Sequence, residues 1–156
     1  MNKKKKQKNN GKKAKILIVD DHSIVRKGLI QLINEEPDLV VCAEAENAAQ
    51  ALEAIEKKQI DLAIVDISLE GTNGIQLTEK IKYQRPQLPV LILTMHDEAL
   101  YAKRAFQAGA GGYITKQEAA ETIITAIRLM LSGKDYISET MTQKFLKKLH
   151  SRGSHC

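Results

Sequence analysis

Five times between Lys15 and Gly133 a short apolar run ends in a polar residue and is followed by a segment whose apolar positions recur at helical spacing. The first unit is KILIVD with HSIVRKGLIQLINEE, in which Ile24, Val25, Leu29, Leu32 and Ile33 are read onto one helical face. The second pairs DLVVCAEA with the alanine-rich NAAQALEAIEKK, where Asn47 is placed as an N-cap. The third is DLAIVD, then a loop containing Gly and Asn, then GIQLTEKIKYQ, stopped near the Arg85-Pro86 step. The fourth joins PVLILT to DEALYAKRAFQA, and the fifth joins GGYIT to EAAETIITAIRLMLSG, which ends on Gly133 at a C-cap glycine position. Continuous apolar runs suit strands covered by helices on both faces. The repeat therefore predicts an α/β fold, a doubly wound parallel sheet with right-handed crossovers, whose ligands gather beyond the carboxyl ends of the strands.

Those carboxyl ends carry an unusual set of groups. The first strand ends at Asp20 and Asp21, the third at Asp66 and the fourth at Thr94, while Lys116 follows the fifth at once. Three carboxylates drawn together repel one another and raise each other's pKa unless a cation lies among them. A hard divalent ion with oxygen ligands, best matched by Mg²⁺, meets that need. Lysine and a threonine hydroxyl on the other side suit an anion rich in oxygen, such as a phosphoryl group.

Composition narrows the class. At 156 residues the chain has room for one ordinary domain. Its apolar stretches are strand-sized, well short of the roughly 18 residues that suggest a membrane span, and the basic start lacks the apolar core of a signal peptide. A cytoplasmic protein without a membrane partner is expected. Cys42 and Cys156 offer neither a disulfide framework nor metal-ligand spacing. The net charge of +5 is misleading, because residues 1 to 15 hold eight lysines and no acid, whereas the remainder holds 16 bases against 19 acids. Residues 1 to 14 are expected to be a disordered basic tail, since a run of like charge without apolar residues cannot form a core.

VDDH at 19 to 22, VDIS at 65 to 68, LILT at 91 to 94 and GYITK at 112 to 116 resemble, in order and spacing, the receiver domain of bacterial two-component response regulators. The match spans residues 15 to 132. The wording VDDHSIVRKGL, DISLEGTNGIQL, GAGGYITK and AIRLMLSGKDYIS is most similar to the NarL/FixJ (LuxR-type) branch. The resemblance implies a five-stranded, flavodoxin-like or CheY-like (βα)5 sheet of order 2-1-3-4-5. It implies that Asp66 is the phosphoacceptor for a sensor histidine kinase, in a Mg²⁺-dependent reaction that the domain assists without being an enzyme in its own right. Asp21, Asp66 and the Ser68 backbone carbonyl would hold Mg²⁺, with Asp20 acting through water; Lys116 and the Thr94 hydroxyl would bind phosphoryl oxygens. Tyr113 would follow Thr94 inward as a switch, and His96 and Ser68 would tune the lifetime of the phosphate.

Neither His22 nor His96 has a second histidine or cysteine at ligand spacing, so His22 is placed at the start of the first helix. Two positions depart from the family pattern. Glu70 stands where this branch commonly has proline, and Gln117 follows Lys116 where many receivers have proline, so no cis peptide is assumed there. Residues 133 to 156 resemble the linker of NarL/FixJ regulators with a short helix, and no DNA-recognition helix is visible. DNA contact is thus expected only through an output domain absent from this chain. The alternatives are a stand-alone regulator acting through protein binding, with a homodimer common in the family, and a Mg²⁺-dependent aspartyl-phosphate phosphatase. The latter usually carries a second aspartate two residues after its nucleophile, where this chain has Ser68.

Overall fold

A computed structural model describes residues 12–69, 73–95, 99–138, 141–144 and 146–147. The expectations for the basic segment up to Gly11, for Glu70, for His96 and for the closing HSRGSHC lie outside these residues. Strands and helices alternate as β1 (Ala14–Val19), α1 (Ser23–Asn34), β2 (Leu39–Ala45), α2 (Ala48–Lys57), β3 (Leu62–Asp66) and α3 (Gly74–Gln84). They continue as β4 (Val90–Thr94), α4 (Ala99–Gln107), β5 (Gly112–Thr115), α5 (Lys116–Leu131) and β6 (Tyr136–Ile137).

All strand pairs are parallel, in the order β2-β1-β3-β4-β5-β6. Each central strand divides its side chains between two cores. Leu17, Val19, Ala63, Val65, Val90 and Ile92 face α2, α3 and α4, while Ile16, Ile18, Leu62, Ile64, Leu91 and Leu93 face α1 and α5. Burial on both faces is why the runs are apolar throughout rather than alternating. Each such side chain contributes roughly 1.5–3 kcal/mol when removed from water.

The expected five strands become six. After α5 the chain turns at Gly133, whose φ of +93° a side chain would resist, and runs along the open edge of β5. Tyr136 N–H donates to the Gly111 carbonyl at 2.8 Å, and Gly112 and Tyr113 pair in register with Tyr136 and Ile137. This strand needs only an unpaired backbone edge beside it, not an apolar run of its own. The segment read as a linker is thus docked: beyond β6, Met141 is buried at 2% exposure in the core shared with Tyr113. Ser138 caps that turn by accepting from Met141 N–H at 3.2 Å.

Other boundaries follow their local chemistry. Asn47 accepts from Gln50 N–H at 2.9 Å, which makes it the expected N-cap of α2. Helix α5 starts two residues before Glu118, because Thr115 and Glu118 form a reciprocal capping box. Ile24 departs from the expected apolar face and is 85% exposed. Leu29 and Ile33 define the buried line of α1, and Ile24 lies about 140° around the helix from Leu29. Arg128 on α5 reaches Asp38 Oδ1 at 2.8 Å and Glu36 Oε1 at 2.6 Å, and its hydrogen bond holds the Asp38 carboxyl below the usual range. No helix among the described residues is long and apolar enough to cross a membrane.

Candidate functional site

The sheet brings the strand-end groups to one edge. Val19 pairs with Val65 and Asp66 with Leu93, so the ends of β1, β3 and β4 lie level. Asp20, just past β1, and Asp66, the last residue of β3, are each 1% exposed. Thr94 ends β4 fully buried and pairs in register with Thr115, next to Lys116. Because the Thr115 capping box starts α5 at Lys116, this lysine's side chain turns back over the site. Its Nζ donates to Asp66 Oδ2 at 3.2 Å and stands 3.5 Å from Asp20 Oδ2.

The loop after β3 is held by its backbone. Ser68 N–H donates to Asp66 Oδ1 at 3.1 Å, and Gly74 N–H donates to the Ile67 carbonyl at 2.8 Å. Gly74 is needed for close approach: a Cβ there would lie 2.7 Å from Ile67 Cα and nearer still to the Asp66 carbonyl oxygen. Arg26 on α1 fastens the other side, donating to the Asp20 carbonyl and, at 2.9 Å, to Glu44 Oε1.

The charge at this edge does not balance. Among the described residues Lys116 is the ammonium paired with Asp20 and Asp66, and with Asp21 beside them the three acids outnumber it by two when all are ionised. Burial pushes the Asp66 carboxyl up; the Ser68 N–H opposes that shift, Asp20 adds to it and Lys116 opposes it. Asp20 Oδ2 is buried with no hydrogen-bond partner among the described residues. One ligand atom each from Asp20, Asp21, His22 and Asp66 lies within 4.8 Å of the others. Carboxylate oxygens grouped so tightly, with a deficit of two positive charges, fit a divalent cation.

The response regulator receiver domain model matches residues 16–128. The chain belongs to this receiver family. Transcriptional regulatory protein DegU of Brevibacillus brevis is 32% identical over 139 residues, covering 89% of this receiver chain and 59% of DegU. The crystal structure of a LuxR-family two-component response regulator from Aurantimonas sp. SI85-9A1 is 35% identical, with a TM-score of 0.84, and covers 87% of this chain and 97% of that one. A CheY-like receiver from Methanospirillum hungatei JF-1 is 28% identical, with a TM-score of 0.71 over 78% of this chain and 95% of that one. The similarity places the receiver in the NarL/LuxR branch, with the CheY-like parallel fold. It spans less than two thirds of the length of the first curated relatives it matches.

Of the residues singled out in the sequence, the receiver fold gathers Asp20, Asp21, Asp66 and Lys116 directly, with Ser68 contributing its N–H. Tyr113 lies in the core on the α2, α3 and α4 side, at 1% exposure. Two contributors escaped the sequence reading. His22 does precede α1 as its N-cap residue, but its side chain makes no capping bond. Its Nδ1 instead stands 3.1 Å from Asp20 Oδ1, 3.1 Å from Asp21 Oδ1 and 3.6 Å from Asp66 Oδ2. Arg26 is the other; its spacing of four from His22, one helical turn, is the one signal in the sequence that points it back to this loop.

Proposed function

We propose that this receiver accepts a phosphoryl group on Asp66 from a sensor histidine kinase, in a Mg²⁺-dependent reaction, and changes conformation to control an output. The observation that carries this reading is Asp66 itself: a buried carboxylate at a strand end, with Lys116 Nζ at 3.2 Å and two further carboxylates beside it. Asp21, Asp66 and the Ser68 carbonyl would hold Mg²⁺, with Asp20 contributing through water. That ion supplies neutralisation of the charge that gathers on the transferring group.

The chain's own residues do the rest. An Asp66 oxygen attacks phosphorus in line, the bond from phosphorus to the donor imidazole nitrogen breaks, and that nitrogen keeps the electron pair. Before transfer, Lys116 and the Ser68 N–H orient the Asp66 carboxylate, and the lysine's position off Oδ2 lets it follow a phosphoryl oxygen after transfer. The Thr94 hydroxyl would bond a second oxygen, drawing in the β4–α4 segment and biasing an existing equilibrium. Ser68 and His96 would set how readily water reaches the phosphate.

DegU is named a transcriptional regulatory protein, and the chain spans 59% of its length. We extend to the longer regulator the reading that its output is DNA-binding control of transcription, exercised outside residues 15 to 132. Intact mass after incubation with Mg²⁺ and acetyl phosphate or phosphoramidate tests the site. A base-labile gain of about 80 Da, one phosphoryl group, that Asp66→Ala abolishes is the expected result. No gain from folded, metal-bound protein with either donor would overturn phosphoacceptance from small donors.

A further inference from the structure

The His22 ring has the geometry of a ligand rather than of a simple counter-ion. Its Nδ1 is equidistant, at 3.1 Å, from oxygens of Asp20 and Asp21, and 3.6 Å from one of Asp66. Neighbouring donor atoms bound to one divalent ion through bonds of about 2.0–2.1 Å lie about 2.8–3.0 Å apart in octahedral and about 3.3–3.4 Å apart in tetrahedral arrangements, and the two shorter spacings fall between these. A protonated imidazole has a single N–H at Nδ1, which can aim straight at one oxygen but not at two. The backbone holds the residue close to the acids, since the His22 N–H donates to Asp20 Oδ1 at 2.8 Å, and the ring turns Nδ1 toward the same oxygen. Beside it, Asp20 Oδ2 is buried with no hydrogen-bond partner among the described residues.

We propose that His22 is a direct nitrogen ligand of the carboxylate site for borderline divalent transition ions such as Co²⁺ or Zn²⁺. The site would then take Mg²⁺ through oxygen alone, and a transition ion through oxygen and imidazole together. The chemistry of the donors decides between the ions. Imidazole nitrogen adds affinity for Co²⁺ and Zn²⁺, whereas Mg²⁺ prefers oxygen and retained water. Because the ring is 58% exposed, it can swing aside for Mg²⁺ without disturbing the core. A transition ion bound this way would displace Mg²⁺ from the phosphoacceptor, so the receiver would report on metal supply as well as on its kinase.

The inference rests on the reading that a cation binds among Asp20, Asp21 and Asp66, and the experiment separates the two. Titration calorimetry on the full chain gives Co²⁺ and Mg²⁺ affinities for the native protein, His22→Asn and Asp21→Asn, each checked for folding by thermal melting. Asparagine keeps an N-cap residue at position 22 and offers oxygen in place of nitrogen. Only Co²⁺ binding that Asp21→Asn removes is counted, so ions held by His150, His155 or Cys156 drop out of the comparison. The expected result is a loss of about tenfold or more in Co²⁺ affinity in His22→Asn, with Mg²⁺ affinity within about twofold of native. Unchanged Co²⁺ affinity, or an equal loss for both ions, overturns the role of His22 and leaves the carboxylate site standing. Failure of the native chain to bind either ion at the Asp21-dependent site overturns both.

Discussion

Asp66 illustrates how a functional group subtracts from stability. Its carboxyl is pushed up by burial, which means that folding disfavours the ionised form. For an acid raised in this way, the folded state holds its proton where the unfolded state has lost it. Stability therefore falls as pH rises from the ordinary carboxylate range through the raised folded value. With metal removed by a chelator, Asp66→Asn should melt a few degrees above the native chain at neutral pH, and the advantage should shrink as acid protonates the native carboxyl. On the proposed reading, Mg²⁺ should stabilise the native chain by binding its folded state alone, and leave the variant nearly unmoved. Melting curves at several pH values, with chelator and with Mg²⁺, check both signs; a variant less stable than native in chelator would refute the argument. At this scale the sequence was informative wherever a charged group interrupts an apolar run, as at Asp20, Asp66 and Lys116. It was silent on His22, because the direction of that ring depends on the turn between β1 and α1, which no periodicity describes.

At the scale of elements, the packing of α3 against the end of β3 sets the position of Asp66. Gly74 begins α3 with its Cα so near the Asp66 and Ile67 backbone that any Cβ must push the loop away. Gly74→Ala should cost about 1–3 kcal/mol of stability, as overpacking does. It should also slow phosphorylation of Asp66 by more than that loss accounts for, because misplacing a reacting group by about an ångström costs on the order of a hundredfold in rate. Phosphorylation rates measured well below the variant's melting temperature separate the two effects; a native rate would show that the loop relaxes around the methyl group. The five strand–helix units were legible because both cores draw on the same apolar runs. Ile24 was misread because it adjoins Val25 in the first turn yet lies about 140° around the helix from Leu29, which leaves it 85% exposed.

At the scale of the whole molecule, the C-terminal boundary of the receiver is set by how firmly β6 is held. Two residues of β6 could not announce themselves in the sequence, since the partner that makes them a strand is the edge of β5 rather than any pattern in KDYIS. Yet the elements from β1 to α5 supply nearly all of both cores, and β6 with Met141 adds a flap beside β5 and Tyr113. A flap held by one short strand pair and one buried methionine opens at less cost than global unfolding. A chain ending at Gly133 should therefore fold, keep phosphorylation of Asp66, and melt a few degrees lower through loss of the apolar cover on β5. In the longer chain, hydrogen exchange should show amides of 136–147 opening well before those of β1, β3 and β4. If the shortened chain fails to fold, or if those amides exchange only with global unfolding, the docked segment belongs to the receiver core. Movements of Tyr113 would then pass directly into whatever follows residue 147.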